Sequence, residues 1–379
     1  MDIAFVSNVV YPFVTGGAEK RIYEIGTRLA ADGHSVTVYA RQFWDGPSVT
    51  SYEGMTLRAV APAADLYTDD RRSISEAIDF AVRLAIPLRR QITQQKHDVV
   101  VASVFPYFPV ISSSLASART DAALVTTWHE VWGSYWKEYL GRLAPFGQSV
   151  ERITARIPQD AIAVSEVTAD RLAQIGRKRD AISVVPNGID IDKIQTAPLP
   201  ERTYDVLFAG RLIADKNVDI LLDAFDSVAE SYDATLGILG EGPELDRLQS
   251  QTQKLQHGDR VTFLGFLEEY ESVLGHMRAA QVFASPSTRE GFGITFAEAM
   301  AADCTVIAAD HPESAAREVI GDAGFLVDPT VEDVSSALAS ALAGNRPSGD
   351  VVARARMYDW DIVAEQARDV YERAIQDSR

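Results

Sequence analysis

Short apolar runs rich in β-branched residues alternate with longer amphipathic stretches along nearly the whole chain. "IAFVS" opens it as a strand, and "NVVYPFVTGG" follows as a loop. "AEKRIYEIGTRLAADG" sets Ile22, Ile25 and Leu29 at helical spacing and stops on Gly33. "SVTVYA" is the next strand. Apolar strands that alternate with helices predict a parallel sheet with crossover helices. Further strands are expected at "DVVVAS", "ALVTTW" and "AIAVS", and "ISVVPNG" closes the first half. "IDIDKIQTAPLPERT" has two prolines and no clear period, so it reads as an interdomain linker. The pattern restarts at "YDVLFAG" and runs, strand then helix, to "VEDVSSALASALAG". "WDIVAEQARDVYERAIQ" closes the chain as a long amphipathic helix.

The expectation is therefore an α/β protein of two doubly wound parallel-sheet domains, residues 1–190 and 204–359, joined by a linker at 191–203. Helix 360–379 is expected to complete the first domain. In open α/β sheets ligands bind beyond the carboxyl ends of the strands. The strand-to-helix loops, and a cleft between two such domains, are where chemistry is expected.

Composition narrows the class. The 379 residues suffice for two domains of ordinary size, and 46% hydrophobic with 24% charged residues is a globular mixture. Acids outnumber bases by 54 to 36, a net charge of -18 that repels nucleic acid. Of the 36 bases only 7 are lysines, leaving 29 arginines. Many acids with few lysines point to a halophilic, high-salt cytoplasm, where screening makes such a surface tolerable. The one cysteine, Cys304, excludes an internal disulfide and a multi-cysteine metal site, and its apolar surroundings read as core. "MDIAFVSNVV" has no basic region or cleavage site and reads as a strand rather than a signal peptide. The longest apolar run, 99–111, contains two prolines and is too short to span a bilayer. A soluble, cytoplasmic protein is expected.

Four loops carry candidate chemistry. In "TGGAEK", Gly16 and Gly17 allow close backbone approach at a helix start, which suits a phosphate, though on this feature alone a plain loop-to-helix turn is the better reading. In "FAGRLIADKN", Arg211 and Lys216 follow a strand and suit a diphosphate, while a solvated loop is the alternative. "LGEGPEL" lacks the full dinucleotide fingerprint and is weak alone. In "STREGFGITFAEAM", Glu290 and Glu298 flank Gly291, Phe292 and Gly293, and the N–H groups of Phe292, Gly293 and Ile294 are expected at a helix start. Carboxylates there can hold the neighbouring hydroxyls of a sugar or ribose, although the helix dipole alone also favours an acid.

"GGAEK", "VPNGID", "GRLIADKN" and "REGFGITFAEAMA" occur in this order, and the chain thereby resembles the retaining glycosyltransferase family 4 over nearly its whole length. The resemblance implies the GT-B fold of two Rossmann-like domains. It implies a nucleotide-diphosphate sugar as co-substrate, with no metal or other cofactor. By the same resemblance Arg211 and Lys216 neutralise the diphosphate, and Glu290 of the E-x7-E pattern holds the donor sugar. Glu298 takes the ribose, and Gly16 and Gly17 lie near the diphosphate and acceptor. His129 in "TTWHE" touches the donor sugar, and the main chain around Gly265 and Phe266 lines the nucleobase pocket. Metal independence is expected, as the family usually shows, since no D-x-D stands between strands at a suitable place and the "DID" of Asp190 to Asp192 falls at the linker. The acceptor would be a hydroxyl of a glycan, glycolipid or lipid-linked saccharide. Thr127–Gln148 carries six aromatic residues that suit sugar stacking or peripheral membrane contact, or a helix packed on the core.

The sequence also departs from the family. Ser314 and Ala315 replace a common Gly-Gly, and Asp303 and Thr305 stand where glycine and proline are frequent. The alternatives are a sugar-nucleotide epimerase or phosphorylase of the same fold, and a non-catalytic sugar-binding subunit. A dinucleotide oxidoreductase is disfavoured by the absence of G-x-G-x-x-G after a strand. The charge balance makes its own prediction. Stability against urea should rise between low and molar salt, and unchanged stability would remove the high-salt origin.

Overall fold

A computed structural model describes residues 1–14, 16–68 and 71–378, so Thr15 of the first glycine loop lies outside the described residues. The chain divides into two compact units, Met1–Asn187 with Trp360–Arg379, and Gly188–Asp359.

The first unit is built on strands β1 (Asp2–Val6), β2 (Ser35–Gln42), β3 (Val49–Tyr52), β4 (Met55–Pro62), β7 (Val99–Ser103), β8 (Ala123–Trp128), β9 (Asp160–Ala163) and β10 (Ile182–Val184). The pair β5 (Tyr67–Thr68) and β6 (Arg71–Arg72) forms a separate antiparallel ribbon. The main sheet has the order β10-β9-β8-β7-β1-β2-β4-β3, parallel except for the β3–β4 hairpin. Its central strands read as continuous apolar runs because both faces are covered. Ile3 and Phe5 of β1 join one core with Ile25 of helix α1 (Gly17–Ala31) and Trp360 and Tyr371 of the C-terminal helix Trp360–Ser378. Ala4 and Val6 turn to the other face, toward Phe80 and Leu84 of helix α2 (Ile74–Gln95). The amphipathic C-terminal helix thus closes the first sheet, although the chain has passed through the second unit before forming it.

The second unit has six parallel strands, β11 (Val206–Ala209), β12 (Leu236–Leu239), β13 (Val261–Gly265), β14 (Val282–Ser285), β15 (Thr305–Ala309) and β16 (Gly324–Val327), in the order β13-β12-β11-β14-β15-β16. The order reverses at β11, so the loops after β11 and β14 flank the switch point where such sheets bind ligands.

The expected linker is a correction. Within 191–203, Ile191–Thr196 is a helix capped by Asp190, whose carboxylate accepts the Lys193 N–H at 2.8 Å. Ile191 and Ile194 are buried, and the helix lies against helices Tyr270–Ala279 and Ile294–Ala301. The next turn is fixed as well, since a Cβ on Gly275 would stand 2.0 Å from the Pro198 carbonyl. This segment is part of the second unit. A helix of this length is too short to show a hydrophobic period, and its cap was the only local signal.

Candidate functional site

In the second unit the loops after β11, β12 and β13 are joined through their backbones. Gly210 N–H donates to Leu239 O at 3.0 Å, and Gly240 N–H donates to Gly265 O at 2.9 Å. Leu212 N–H donates to Glu241 O at 2.8 Å. The glycines of "LGEGPEL" are what allow this closeness. A Cβ on Gly240, where φ is +129°, would stand 1.9 Å from the Gly210 carbonyl oxygen, and one on Gly242 would stand 2.2 Å from that of Leu212. These glycines shape the "GRLIADK" loop rather than themselves meeting a dinucleotide.

That loop presents Arg211 and Lys216. Arg211 is exposed, and its guanidinium bonds no side chain among the described residues. Lys216 ends a short 3-10 turn, Ala214–Lys216, and its Nζ bonds Glu290 Oε1 as an ion pair with both side chains mostly buried. Two further bonds tie the loops together. Thr288 N–H donates to Asp215 O at 3.0 Å, and the Asn217 side-chain amide donates to Pro286 O at 2.9 Å. Asn217, with φ +50°, has the left-handed backbone that turns the chain into the following helix.

Glu290 is held from its other side by the segment in which the sequence departs from the family. Its N–H donates to Glu313 O at 3.3 Å, and its carbonyl accepts Ala315 N–H at 3.0 Å. Ser314 and Ala315 are buried there, so these replacements do bear on the carboxylate, through its backbone. Asp303, at the other departure, takes φ +65° without a glycine and is bonded by Arg346 at 2.5 Å.

Gly293, at φ +83°, is the N-cap of helix Ile294–Ala301. A Cβ there would stand 2.6 Å from the Phe296 ring, so both conformation and packing require glycine. The N–H groups of Phe292, Gly293 and Ile294 bond no protein acceptor among the described residues. The Phe292 ring points away into packing, 5.3 Å edge-on from Tyr358. Glu298, expected in the first turn, lies one turn further in, because the helix starts only at Ile294. It is buried, and both its oxygens accept from the Tyr270 hydroxyl at 2.6 Å. Burial and the adjacent Glu298 charge hold the Tyr270 phenol well above its usual pKa, so it remains a donor. Tyr270 was not anticipated: a tyrosine 28 residues before its partner leaves no local pattern. Gly265, at φ +71°, ends β13, and Phe266 follows, 70% exposed.

In the first unit Gly16 caps α1, where a Cβ would stand 2.3 Å from the Glu19 carboxylate. A Cβ on Gly17 would meet open space, so no neighbour in this unit explains that glycine. His129 follows β8, and desolvation, with the Arg21 charge second, lowers its pKa to about 3. Its imidazole is therefore neutral at ordinary pH. Arg21, also missed by sequence reasoning, is buried on α1 and donates to Pro186 O, to Val185 O at 3.1 Å and to Asn187 Oδ1 at 3.2 Å, so it holds the "VPN" motif. Arg21, His129 and Ser103 line one small pocket, and the buried Ser103 hydroxyl has no partner among the described residues.

The aromatic run after His129 mostly packs inward. Trp128 and Trp136 are buried, and Trp132 lies 4.8 Å from Trp136 and 4.7 Å from Tyr139. The buried Glu151 carboxylate anchors the segment by accepting the Tyr107 hydroxyl at 2.9 Å and the N–H groups of Trp132 and Gly133 at 2.8 and 3.0 Å. Among the described residues no group of three or more His, Cys, Asp or Glu is placed to hold a metal.

Comparison with known proteins adds a lineage. Two family models match in tandem, one described as Glycosyltransferase Family 4 over residues 15–193 and one as Glycosyl transferases group 1 over residues 190–357. The phosphatidyl-myo-inositol mannosyltransferase of Mycobacterium leprae is 36% identical over 228 residues, which are 56% of this chain and 58% of that protein's length. That of Mycolicibacterium smegmatis is 34% identical over 279 residues, 69% of this chain and 67% of that protein. Among solved structures, sucrose-phosphate synthase from Thermosynechococcus elongatus matches with TM-score 0.78 at 19% identity, over 99% of each chain. The Anabaena protein HepE in complex with UDP matches with TM-score 0.73 at 20% identity, over 98% of this chain and 100% of that one.

The His129 environment makes a pH prediction. Its pKa is lower folded than unfolded, so the unfolded chain binds more protons below the unfolded value of about 6.5. Its contribution to stability is present above that value and is lost as pH falls toward the folded value of about 3. Its ring carbon resonance should stay fixed between about pH 5 and pH 8, where ordinary histidines titrate. A titrating resonance would contradict the assignment of a neutral imidazole.

Proposed function

The chain belongs to the group 1 glycosyltransferases, family 4, and from that premise we propose that it moves a sugar from a nucleotide-diphosphate sugar to an acceptor hydroxyl with retention at the anomeric carbon. One observation carries the proposal. At the switch point of the second sheet, the Lys216–Glu290 ion pair shares a loop with Arg211, which bonds no side chain among the described residues, and that loop is tied to residues 286–288 just before Glu290 and the glycine turn. Lys216 and Glu290 neutralise each other as an ion pair. A diphosphate brings its own negative charge, so Lys216 and Arg211 can turn to it and release Glu290 to the sugar hydroxyls. The N–H groups of Phe292, Gly293 and Ile294, which bond no acceptor among the described residues, add preorganised donors at a helix start. Glu298 is assigned to the ribose, and the backbone at Gly265 and Phe266 to the nucleobase. His129 is assigned to the donor sugar, and Gly16 and Gly17 to the diphosphate and acceptor.

In the reaction the bond from the anomeric carbon to the diphosphate oxygen breaks as the acceptor oxygen bonds to the same face. The acceptor's proton passes to the departing phosphate oxygen, so no protein base is required. Arg211 and Lys216 stabilise the charge that develops on the diphosphate, and positioning supplies much of the remainder. We assign no metal to this chemistry.

The relatives' name favours a lipid-borne acceptor within the wider class of glycans, glycolipids and lipid-linked saccharides. No helix among the described residues is long and apolar enough to cross a membrane. The outer face of α2 supports a peripheral contact at a cytoplasmic membrane face. Ile78, Val82 and Ile86 lie one turn apart there, 41%, 70% and 64% exposed, with Arg83, Arg89 and Arg90 beside them. A sugar-nucleotide epimerase remains the second reading and would convert a donor with no acceptor present.

A thermal-shift screen of nucleotides and nucleotide sugars in high salt should find a ligand that raises the melting midpoint. With it, Lys216→Ala should lower turnover by about 100-fold or more while leaving the fold intact. Glu298→Ala should chiefly weaken nucleotide binding, whereas Glu290→Ala should chiefly lower transfer. Unchanged turnover in Lys216→Ala would remove that residue from the mechanism. Flotation on anionic liposomes tests the membrane contact: Val82→Glu should abolish it, and a wild-type chain that stays at the bottom of the gradient would rule the contact out.

A further inference from the structure

Glu298 is 2% exposed and already has a hydrogen-bond partner within the second unit. The Tyr270 hydroxyl lies 2.6 Å from each of its oxygens. One phenol carries one proton, so a single donor is shared between two acceptors. A carboxylate can instead accept two separate hydroxyls, as a ribose diol offers. Leaving the acid without this donor would be costly at such burial. Tyr270 answers that need from a residue that is 43% exposed, although its hydroxyl is sunk against the acid. It is the first residue of helix Tyr270–Ala279, next to the segment led by Gly265 at φ +71° and exposed Phe266. The side chain therefore has solvent on one side and a route outward.

We propose that Tyr270 is a built-in stand-in for the donor's ribose: it holds Glu298 until a nucleotide binds and is then exchanged for the ribose diol. The inference rests on the assignment of Glu298 to the ribose. Binding then breaks one shared hydrogen bond and makes two. Tyr270 is a positioning residue that sets donor affinity, and it discriminates against nucleotides lacking the diol, which cannot displace it.

The test is calorimetric titration of wild type and Tyr270→Phe with UDP and with 2′,3′-dideoxy-UDP, with the corresponding GDP and ADP pairs run in parallel. Removal of the phenol should tighten binding of the ribonucleotide about three- to tenfold, the scale of one charge-assisted hydrogen bond partly replaced by water. The dideoxy form should bind both proteins alike. An unchanged or weaker ribonucleotide affinity in Tyr270→Phe, or equal tightening of both forms, overturns the exchange. A wild type with no preference for ribo- over dideoxynucleotide overturns instead the ribose role of Glu298, so the two failures are distinguishable. A measurement on wild type guards against a variant that does not fold. Nitration of Tyr270, read by mass spectrometry, should rise with saturating UDP and not with the dideoxy analogue; no rise with UDP contradicts the exchange.

Discussion

Two backbone loops of the second unit come close enough that a single Cβ would collide with a carbonyl, 1.9 Å from Gly210 O at position 240. That contact fixes the floor on which the candidate donor site is built. Because Gly240 and Gly242 yield space, the loop after β11 is pinned to the loop after β12, and Gly265 continues the row to β13. The Arg211–Lys216 loop is consequently a rigid edge. Asp215 and Asn217 then carry that rigidity across the sheet's switch point to residues 286–288, just before Glu290. Glu290 is placed by main-chain contacts of its loop, whereas Glu298 is carried by the helix Ile294–Ala301 itself.

A common logic governs the two acids. Each is substantially buried, and each has a partner from another element: Glu290 has Lys216, Glu298 has Tyr270. A buried carboxylate cannot stand unpaired at low cost, so a site of this kind needs partners that can be given up. The proposed ligand has the right chemistry to take both over. A diphosphate competes for the lysine, and a diol competes for the acid held by the tyrosine. Binding energy is then the difference between two sets of hydrogen bonds, not the sum of the new ones.

The architecture was legible where apolar runs and helical spacing were long. The two sheets, the C-terminal helix closing the first of them, and the E-x7-E stretch at a strand-to-helix turn could all be read directly. The helix Ile191–Thr196 could not, because six residues of "IDKIQT" carry no period and two prolines follow. The aromatic run from Trp128 to Phe146 was ambiguous by composition. Glu151, too far along the chain to be paired by eye, turns most of it into the core. Arg21 and Tyr270 were invisible for the same reason: their partners are distant in sequence, and neither residue type announces its role. Ser314 looked like a loop variation until its neighbours Glu313 and Ala315 proved to hold Glu290.

The claim that most of this depends on is stereochemical: front-face departure of a diphosphate without a protein base. Slow hydrolysis of a bound, α-linked nucleotide-diphosphate sugar, followed by proton NMR before the released sugar mutarotates, addresses it directly. The account predicts that the α-anomer is formed first. A β-anomer formed first, or a donor that binds and stays intact, would contradict it.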